Sequence, residues 1–461
     1  MTTIIHDATI ITVDASDTVH HGAAIAIDRD RITAIGPSET IVAGNSSAEL
    51  IDGRGKAVMP GFANIHTHFS MIVAKGIYED LSPPNKPPFT SGLAPIPLPD
   101  LDSDEMRVMC RLAALEAIRS GTTAVLEDGA NIDVYADAVA ETGLRLLLCE
   151  RSWDKAKGSI GDQGGFEVDR TLGERTMGRI ADLHTKWHGA FGDRIRVGVA
   201  AWAPDMCSPD LLKQLRRLQE RLDTVATIHL NQIWGEVAAV RQVRNRLPTE
   251  YLDDVGFLND RLVCAHCRCM EPHEERILGR CGCSVAFNSA IAARRGLSPR
   301  IADLDGYGCT IGMGSDNMSE DMVEVVRTGL FMERVRCEDG REPTPEQALR
   351  WGTANGYQAL GWTEGGSLEI GKKADLIVIN MEKAHLTPRL RAVSCFVHQG
   401  QPSDIEGVMV DGQWLMRDSK VRTMDEGAIL REAQEVATRA WRKLFESRSD
   451  LARPADLHLG L

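Results

Sequence analysis

Two histidines two residues apart, His66 and His68, close the apolar segment Ala57-Val-Met-Pro-Gly-Phe-Ala-Asn-Ile-His-Thr-His-Phe-Ser70. Side chains alternate along a strand, so both imidazoles are expected on one side and Thr67 on the other. Adjacent imidazoles at a strand end can take neighbouring positions around one divalent cation. Three further residues suited to metal or proton chemistry end later apolar runs. They are His229 in Thr227-Ile-His-Leu-Asn-Gln, His266 in Cys264-Ala-His-Cys-Arg-Cys269, and Asp316 in Gly314-Ser-Asp-Asn. Taken singly, each has a structural alternative. His229 could be hydrogen-bonded within a core, and Asp316 could cap a helix beginning near Met318. A chain of 13 histidines that sets four of them and one aspartate at the same kind of position points to a shared site.

The segments that carry these residues are short and apolar, with amphipathic stretches between them. After the first come Gly121-Thr-Thr-Ala-Val-Leu-Glu-Asp, Leu144-Arg-Leu-Leu-Leu-Cys-Glu, Ile195-Arg-Val-Gly-Val-Ala-Ala-Trp and Val225-Ala-Thr-Ile-His-Leu. Leu262-Val-Cys-Ala-His-Cys, Cys283-Ser-Val-Ala-Phe-Asn and Cys309-Thr-Ile-Gly-Met-Gly-Ser-Asp complete the series. Helical periodicity fills intervals such as 104–119, 209–222 and 235–246. Apolar strands alternating with helices indicate an α/β fold with a parallel sheet sheathed by helices. Eight units across about 260 residues match a (β/α)8 TIM barrel, in which strand C-terminal ends converge on one site. No Gly-rich dinucleotide fingerprint supports a doubly wound sheet instead.

Both chain ends read differently. Residues 4–13 and 23–35 are β-rich, as are Lys373-Ala-Asp-Leu-Ile-Val-Ile-Asn and the run from Ile405 to Met416, with a hairpin at Asp411-Gly412. The expected organisation is a small discontinuous β-sandwich domain from residues 1–55 and 365–461, with a closing helix over 425–447, around a barrel at 56–364. Seven prolines between 83 and 99 make 74–100 a long loop, read as a lid over the barrel mouth or a subunit contact. Residues 154–175, rich in Gly and charge, read as a second loop at the mouth.

Hydrophobic residues at 43% and charged ones at 26% are ordinary for a soluble globular chain. A net charge of −14 argues against a nucleic-acid surface, and no apolar run approaches the ~18 residues of a membrane span. Eleven cysteines and a start, Met1-Thr-Thr-Ile-Ile-His-Asp, without signal-peptide character suggest reduced thiols in the cytoplasm. An acidic surface and the proline-rich loop fit a homo-oligomer acting on a small molecule. Cys264, Cys267, Cys269, Cys281 and Cys283 could form a zinc knuckle. On a strand, however, Cys264 shares a face with His266 while Cys267 and Cys269 fall beyond the end, so packing thiols are expected.

The blocks Pro60-Gly-Phe-Ala-Asn-Ile-His-Thr-His, Ile228-His-Leu, Leu262-Val-Cys-Ala-His and Gly312-Met-Gly-Ser-Asp occur in one order with Thr344-Pro-Glu-Gln-Ala-Leu-Arg-Trp-Gly-Thr-Ala-Asn-Gly and Gly365-Gly-Ser-Leu-Glu-Ile-Gly-Lys-Lys-Ala-Asp-Leu. This pattern resembles the amidohydrolase superfamily, in its branch of triazine hydrolases and nucleoside, guanine and cytosine deaminases. The resemblance implies one divalent metal held by His66, His68, His229 and Asp316, with a position open for water. Zinc is the default, with iron, cobalt or manganese suited to similar ligands. It also implies that Asp316 takes the water proton and delivers it to the leaving group, and that His266 stabilises the water or the developing oxyanion. The fourth strand, Gly198-Val-Ala-Ala-Trp-Ala-Pro, has no lysine for a bridging carbamate, which favours one metal over two.

Departures from that pattern bear on the substrate. The deaminases carry a glutamate three residues after the fifth-strand histidine, whereas this chain has Gln232, which hydrogen-bonds but cannot shuttle a proton. Glu236, four residues on, is expected at the solvated surface of the next helix. Trp202, Phe287, Asn288 and Asn317 are expected to face substrate, with Trp202, Phe287 and Ala292 replacing polar groups of the family. The expected activity is hydrolysis, by metal-bound hydroxide, of a non-peptide C–N bond, or a related C–S or C–halogen bond. The expected substrate is a small, fairly apolar amide, urea, carbamate or thiocarbamate. Gln232 is placed among the catalytic groups in the alternative, an aminohydrolase or dechlorinase of a nitrogen heterocycle. A non-catalytic scaffold on the same barrel is the non-enzyme reading, and the complete ligand set argues against it.

Overall fold

A computed structural model describes residues 2–78, 97–451 and 453–460. Eight parallel strands close into a barrel: Phe62–Thr67, Thr122–Gly129, Arg145–Ser152, Ile195–Ala201, Ala226–Leu230, Leu262–His266, Ser284–Phe287 and Thr310–Met313. The eighth strand meets the first where Met313 pairs with Asn64. Alternation sorts the side chains into two layers. Ala63, Ile65, Ala124, Leu126, Leu147, Cys149, Ala265 and Ala286 fill the interior, closed below by Tyr357 and Trp362. Their neighbours Val125, Leu146, Leu148, Ile228, Cys264, Val285 and Ile311 pack outward in the large core shared with the helices. Small residues dominate inside because a closed eight-stranded barrel leaves little room at its axis.

The helices begin where local chemistry expects them. Asp102 caps Ser103–Arg119 with a capping box, and Ser208 caps Pro209–Leu222 with proline in its first turn. Asp169 accepts from Leu172 N at 2.9 Å and starts the helix Arg170–Trp187. The mouth loop expected over 154–175 therefore ends at 169, since a capping aspartate begins a helix there. The lid or subunit contact read into 74–100 falls mainly on residues outside those described.

Both chain ends meet in one nine-stranded sheet. The N-terminal part supplies Thr2–Ile11, Val19–Asp28, Arg31–Pro37, Glu49–Asp52 and Lys56–Pro60. The C-terminal part adds Leu376–Asn380, Ile405–Val410, Gln413–Arg417 and Lys420–Val421. Lys56–Pro60 runs antiparallel to Leu376–Asn380 and joins the two parts, so the opening apolar segment serves the small sheet before residue 61 and the barrel after it. Gly61 permits that crossing, because a Cβ there would lie 2.1 Å from Thr123 Cγ2. Ile5, Ile25 and Ile27 share an apolar core with Leu376, Val378 and Met409. The closing helix Glu426–Ser447 lies on the barrel, with Trp441 Nε1 donating to Val73 O at 2.7 Å.

A buried ion pair fastens sheet to barrel. Arg145, at the start of the third barrel strand, donates to Asp375 Oδ2 at 2.8 Å and to Asp411 Oδ1 at 2.6 Å. Asp375 also accepts from Tyr357 Oη at 2.9 Å and from Asp411 N at 2.7 Å. Removing one partner leaves the other charge buried and unmatched. Arg145→Met is expected to lower unfolding stability by about 3–5 kcal/mol in urea titrations. The double variant with Asp375→Asn should recover part of that loss.

Candidate metal centre

The C-terminal ends of strands one, five and six and the loop after strand eight bring His66, His68, His229, His266 and Asp316 together, all buried. Strand alternation alone would not do this. Cys264 packs outward and Ala265 inward, so a continuing strand would turn His266 outward. His266 instead has φ +81°, and its ring centroid lies 5.2 Å from that of His66. The expectation that Cys264 and His266 share a face fails at this left-handed residue. Asp316 is likewise left-handed at φ +70°, and non-glycine residues there are strained by about 1–3 kcal/mol. No helix starts at Met318. The next one, Met322–Cys337, is capped by Asp321.

Main-chain bonds set the position of Asp316. Its N donates to His66 O at 2.9 Å, and its carbonyl accepts from His68 N at 2.9 Å, with Thr67 Oγ1 3.0 Å away. Glu320 secures the same loop, accepting from Thr67 Oγ1 at 2.6 Å, Asn64 Nδ2 at 2.9 Å and Ser315 Oγ at 2.9 Å. Burial pushes the Glu320 carboxyl well above the usual range.

At the centre, His66 Nε2 and His68 Nε2 lie 3.9 and 3.6 Å from Asp316 Oδ1. His229 Nε2 is 3.2 Å from His68 Nε2. Ligands bound to zinc at 2.0–2.1 Å stand about 3–3.5 Å apart in a tetrahedron, close to this spacing. Both nitrogens of His66 and both oxygens of Asp316 lack a hydrogen-bond partner among the described residues. Burial holds His66 well below the ordinary histidine range, lowers His68, and takes His229 down to about 3. Neutral imidazoles converging with an unused carboxylate form a donor set that fits a divalent cation.

Behind the imidazoles stand groups that the sequence reading missed. Asp128 ends the second strand, and its carbonyl lies 2.6 Å from His68 Nδ1. Its Oδ2 is 3.5 Å from His229 Nδ1, the nitrogen that also meets Trp202 O at 2.9 Å. Arg151 pairs with Asp128 at 2.9 Å. Asp128 could itself reach a cation near His66, His68 and His229, but its contacts are with the outer nitrogens, which orient the rings. Its signal was legible: two carboxylates, Glu127 and Asp128, end an otherwise apolar strand. Arg268 Nη2 is 2.5 Å from His266 Nδ1, and Asn288 Nδ2 is 3.0 Å from the same atom. A nitrogen facing two N–H donors is an acceptor, so the His266 proton sits on Nε2, which has no partner among the described residues.

The remaining candidates divide. Asn288 borders the site through His266. Gln232 Oε1 and Asn317 Oδ1 are buried without a partner among the described residues. Trp202 is half-buried against Trp153, ring centroids 5.1 Å apart, with Arg151 over its face. Phe287 does not face a substrate cavity: it packs outward in the helix-side core, beside Gly329 of Met322–Cys337. Nor is Glu236 on the surface. It is fully buried and accepts from Asn231 N at 2.8 Å and Gln232 N at 2.7 Å, serving the buried amides of that turn. The clustered cysteines are free thiols, and no cysteine joins a metal-capable group among the described residues.

The sequence model of the amidohydrolase family matches residues 57–415. A 5'-deoxyadenosine deaminase of Methanosarcina barkeri is 31% identical over 443 residues, covering 94% of this chain and 97% of its own length. A 5-methylthioadenosine/S-adenosylhomocysteine deaminase of Desulforudis audaxviator is 30% identical over 454 residues, covering 97% of this chain and all of its own. Among solved structures, an adenosine deaminase from Xanthomonas campestris with bound zinc has a TM-score of 0.82 at 21% identity, covering 95% of this chain and 98% of its own. The atrazine chlorohydrolase TrzN from Arthrobacter aurescens, complexed with zinc, has a TM-score of 0.82 at 21% identity, covering 94% and 100%. At that identity, the likeness is one of fold.

Next to Asp128, burial raises the Glu127 carboxyl to about 8, against hydrogen bonds from Phe69 N and Tyr135 Oη. An acid with a raised folded-state pKa favours folding when protonated. Its contribution is whole below about pH 4.5 and is lost as pH rises through about 8. Relative to Glu127→Gln, the unmodified protein is expected to lose roughly 5 kcal/mol across that window. Urea unfolding of both proteins at stepped pH measures the difference.

Proposed function

Since the chain belongs to the amidohydrolase family, we propose that it is a mononuclear metal-dependent hydrolase of carbon–nitrogen bonds other than peptide bonds. Its reading here is attack at the carbon of an amide, urea, carbamate or thiocarbamate, with C–S and C–halogen bonds as related targets. His66, His68, His229 and Asp316 would hold the cation, zinc by default. A divalent cation there supplies Lewis acidity and a hydroxide nucleophile at neutral pH. The unsatisfied oxygens of Asp316 carry this reading, because a fully buried carboxylate without donors needs a cation.

The chain's own groups divide the remaining work. Asp316 accepts the proton of the attacking water and passes it to the leaving nitrogen. His266, with its proton on Nε2, donates to the oxygen that gains charge. Asp128 and Arg151 hold the rings of His68 and His229 in place. Gln232 positions substrate by hydrogen bonding and moves no proton. That limit favours a reaction with a single protonation, at the leaving group. Aminohydrolysis of a nitrogen heterocycle is the second reading, favoured by the deaminase names of the full-length relatives. No helix among the described residues is long and apolar enough to cross a membrane, and eleven free cysteines support a reducing cytoplasm. A homo-oligomer is part of the same proposal.

Protein purified without added metal is expected to carry about one divalent ion per chain, and His229→Asn to lose it. Asp316→Asn should lower turnover at least ~10²-fold. Supplied with phenylureas, carbamates and aminoheterocycles, the protein should cleave the first two. Ammonia released only from the heterocycles would reverse the order of the two readings, and failure to bind any metal would end both.

A further inference from the structure

We infer that the substrate carries a carboxylate, received by the guanidinium of Arg268. This rests on the hydrolase reading above and adds the chemical class of substrate to it. Arg268 stands two residues past His266, with 1% of its side chain exposed. Its Nη2 donates to His266 Nδ1, while Nε and Nη1 have no hydrogen-bond partner among the described residues. Nη2 carries a second N–H. Whichever hydrogen His266 takes, one two-pronged edge stays complete, either Nη2 with Nε or Nη2 with Nη1. That edge matches the two oxygens of a carboxylate.

The charges around it point the same way. Among the described residues, the one carboxylate within ion-pair distance of Arg268 is Asp316, at 3.8 Å, too far for a hydrogen bond. Asp316 is also the group assigned to the cation. Arg151, by contrast, is matched by Asp128. Arg295 ends the helix Ser289–Arg295 close enough for its charge to act on Arg268 and His266, and its Nε has no partner among the described residues. With a divalent cation in place, Asp128 and Asp316 face that cation together with the buried Arg268 and the partly exposed Arg151 and Arg295. Burial pushes Glu236, the other carboxyl whose charge reaches Arg268, toward its neutral form, so positive charge is left over at Arg268. Such charge is costly to bury unless an anion accompanies it. A carboxylate on the substrate is that anion. Phe287 faces the helices and lends no apolar wall to the site, and Arg268 beside His266 adds an acid group to the small molecule expected there.

Titration calorimetry with benzoate and its neutral isostere benzamide tests the assignment on metal-loaded protein. Benzoate is expected to bind about ten- to a hundredfold more tightly, the range of one charge-assisted hydrogen-bond pair. Arg268→Met should abolish the preference and Arg268→Lys keep part of it, with metal content unchanged in both. Equal affinity for the two probes in the unmodified protein overturns the assignment. So does a preference that survives in Arg268→Met, since the anion would then sit on the cation. Metal content separates the two claims: a chain that takes up no metal yet prefers benzoate overturns the hydrolase reading and supports the Arg268 site.

Discussion

A carboxylate buried among four imidazoles, with no hydrogen bond to either oxygen among the described residues, is the constraint around which the rest of this molecule is arranged. Left alone, such a charge costs several kcal/mol. The chain holds Asp316 there through backbone bonds to His66 and His68 rather than through its side chain, which leaves the carboxylate unused. Glu320 fixes the loop from behind. Left-handed backbone at Asp316 and His266 turns both side chains toward the centre. Local strain and an unmet charge at the same few residues mark a place where stability has been traded for chemistry.

Much of the architecture was legible as period and order. Eight apolar runs separated by amphipathic ones became eight parallel strands, and the two β-rich ends became one sheet. Directions of side chains at strand ends were less accessible, because a period of two holds only while the backbone stays extended. One left-handed residue at His266 separated it from Cys264, and alternation within the strand itself sent Phe287 to the helices. Glu236 illustrates a second limit. An acid in the first turn of a helix usually meets solvent, yet here two buried amides at Asn231 and Gln232 recruit it. Arg268 was hidden among cysteines, in a stretch where thiols drew the reading.

The comparisons and the site speak to different levels of function. Similarity over nearly the whole chain to nucleoside deaminases places the scaffold and the family. Groups that would recognise a substrate, Gln232, Trp202, Arg268 and Asn317, lie on the segments that follow barrel strands, where sequence can change without disturbing the barrel. Scaffold and chemistry class can thus be shared while the molecule being read differs.

The pairing of Lys56–Pro60 with Leu376–Asn380 also governs how the chain comes into being. At the ribosome, the first partner is made more than three hundred residues before the second, roughly 15–60 s at ordinary elongation rates. Throughout that interval the N-terminal strands have an open, apolar edge, and Asp375 has not yet arrived to meet Arg145. An edge of that kind invites pairing with other nascent chains. Production of this protein is therefore most exposed to loss while the barrel is being synthesised, before the sheet from the two ends can close.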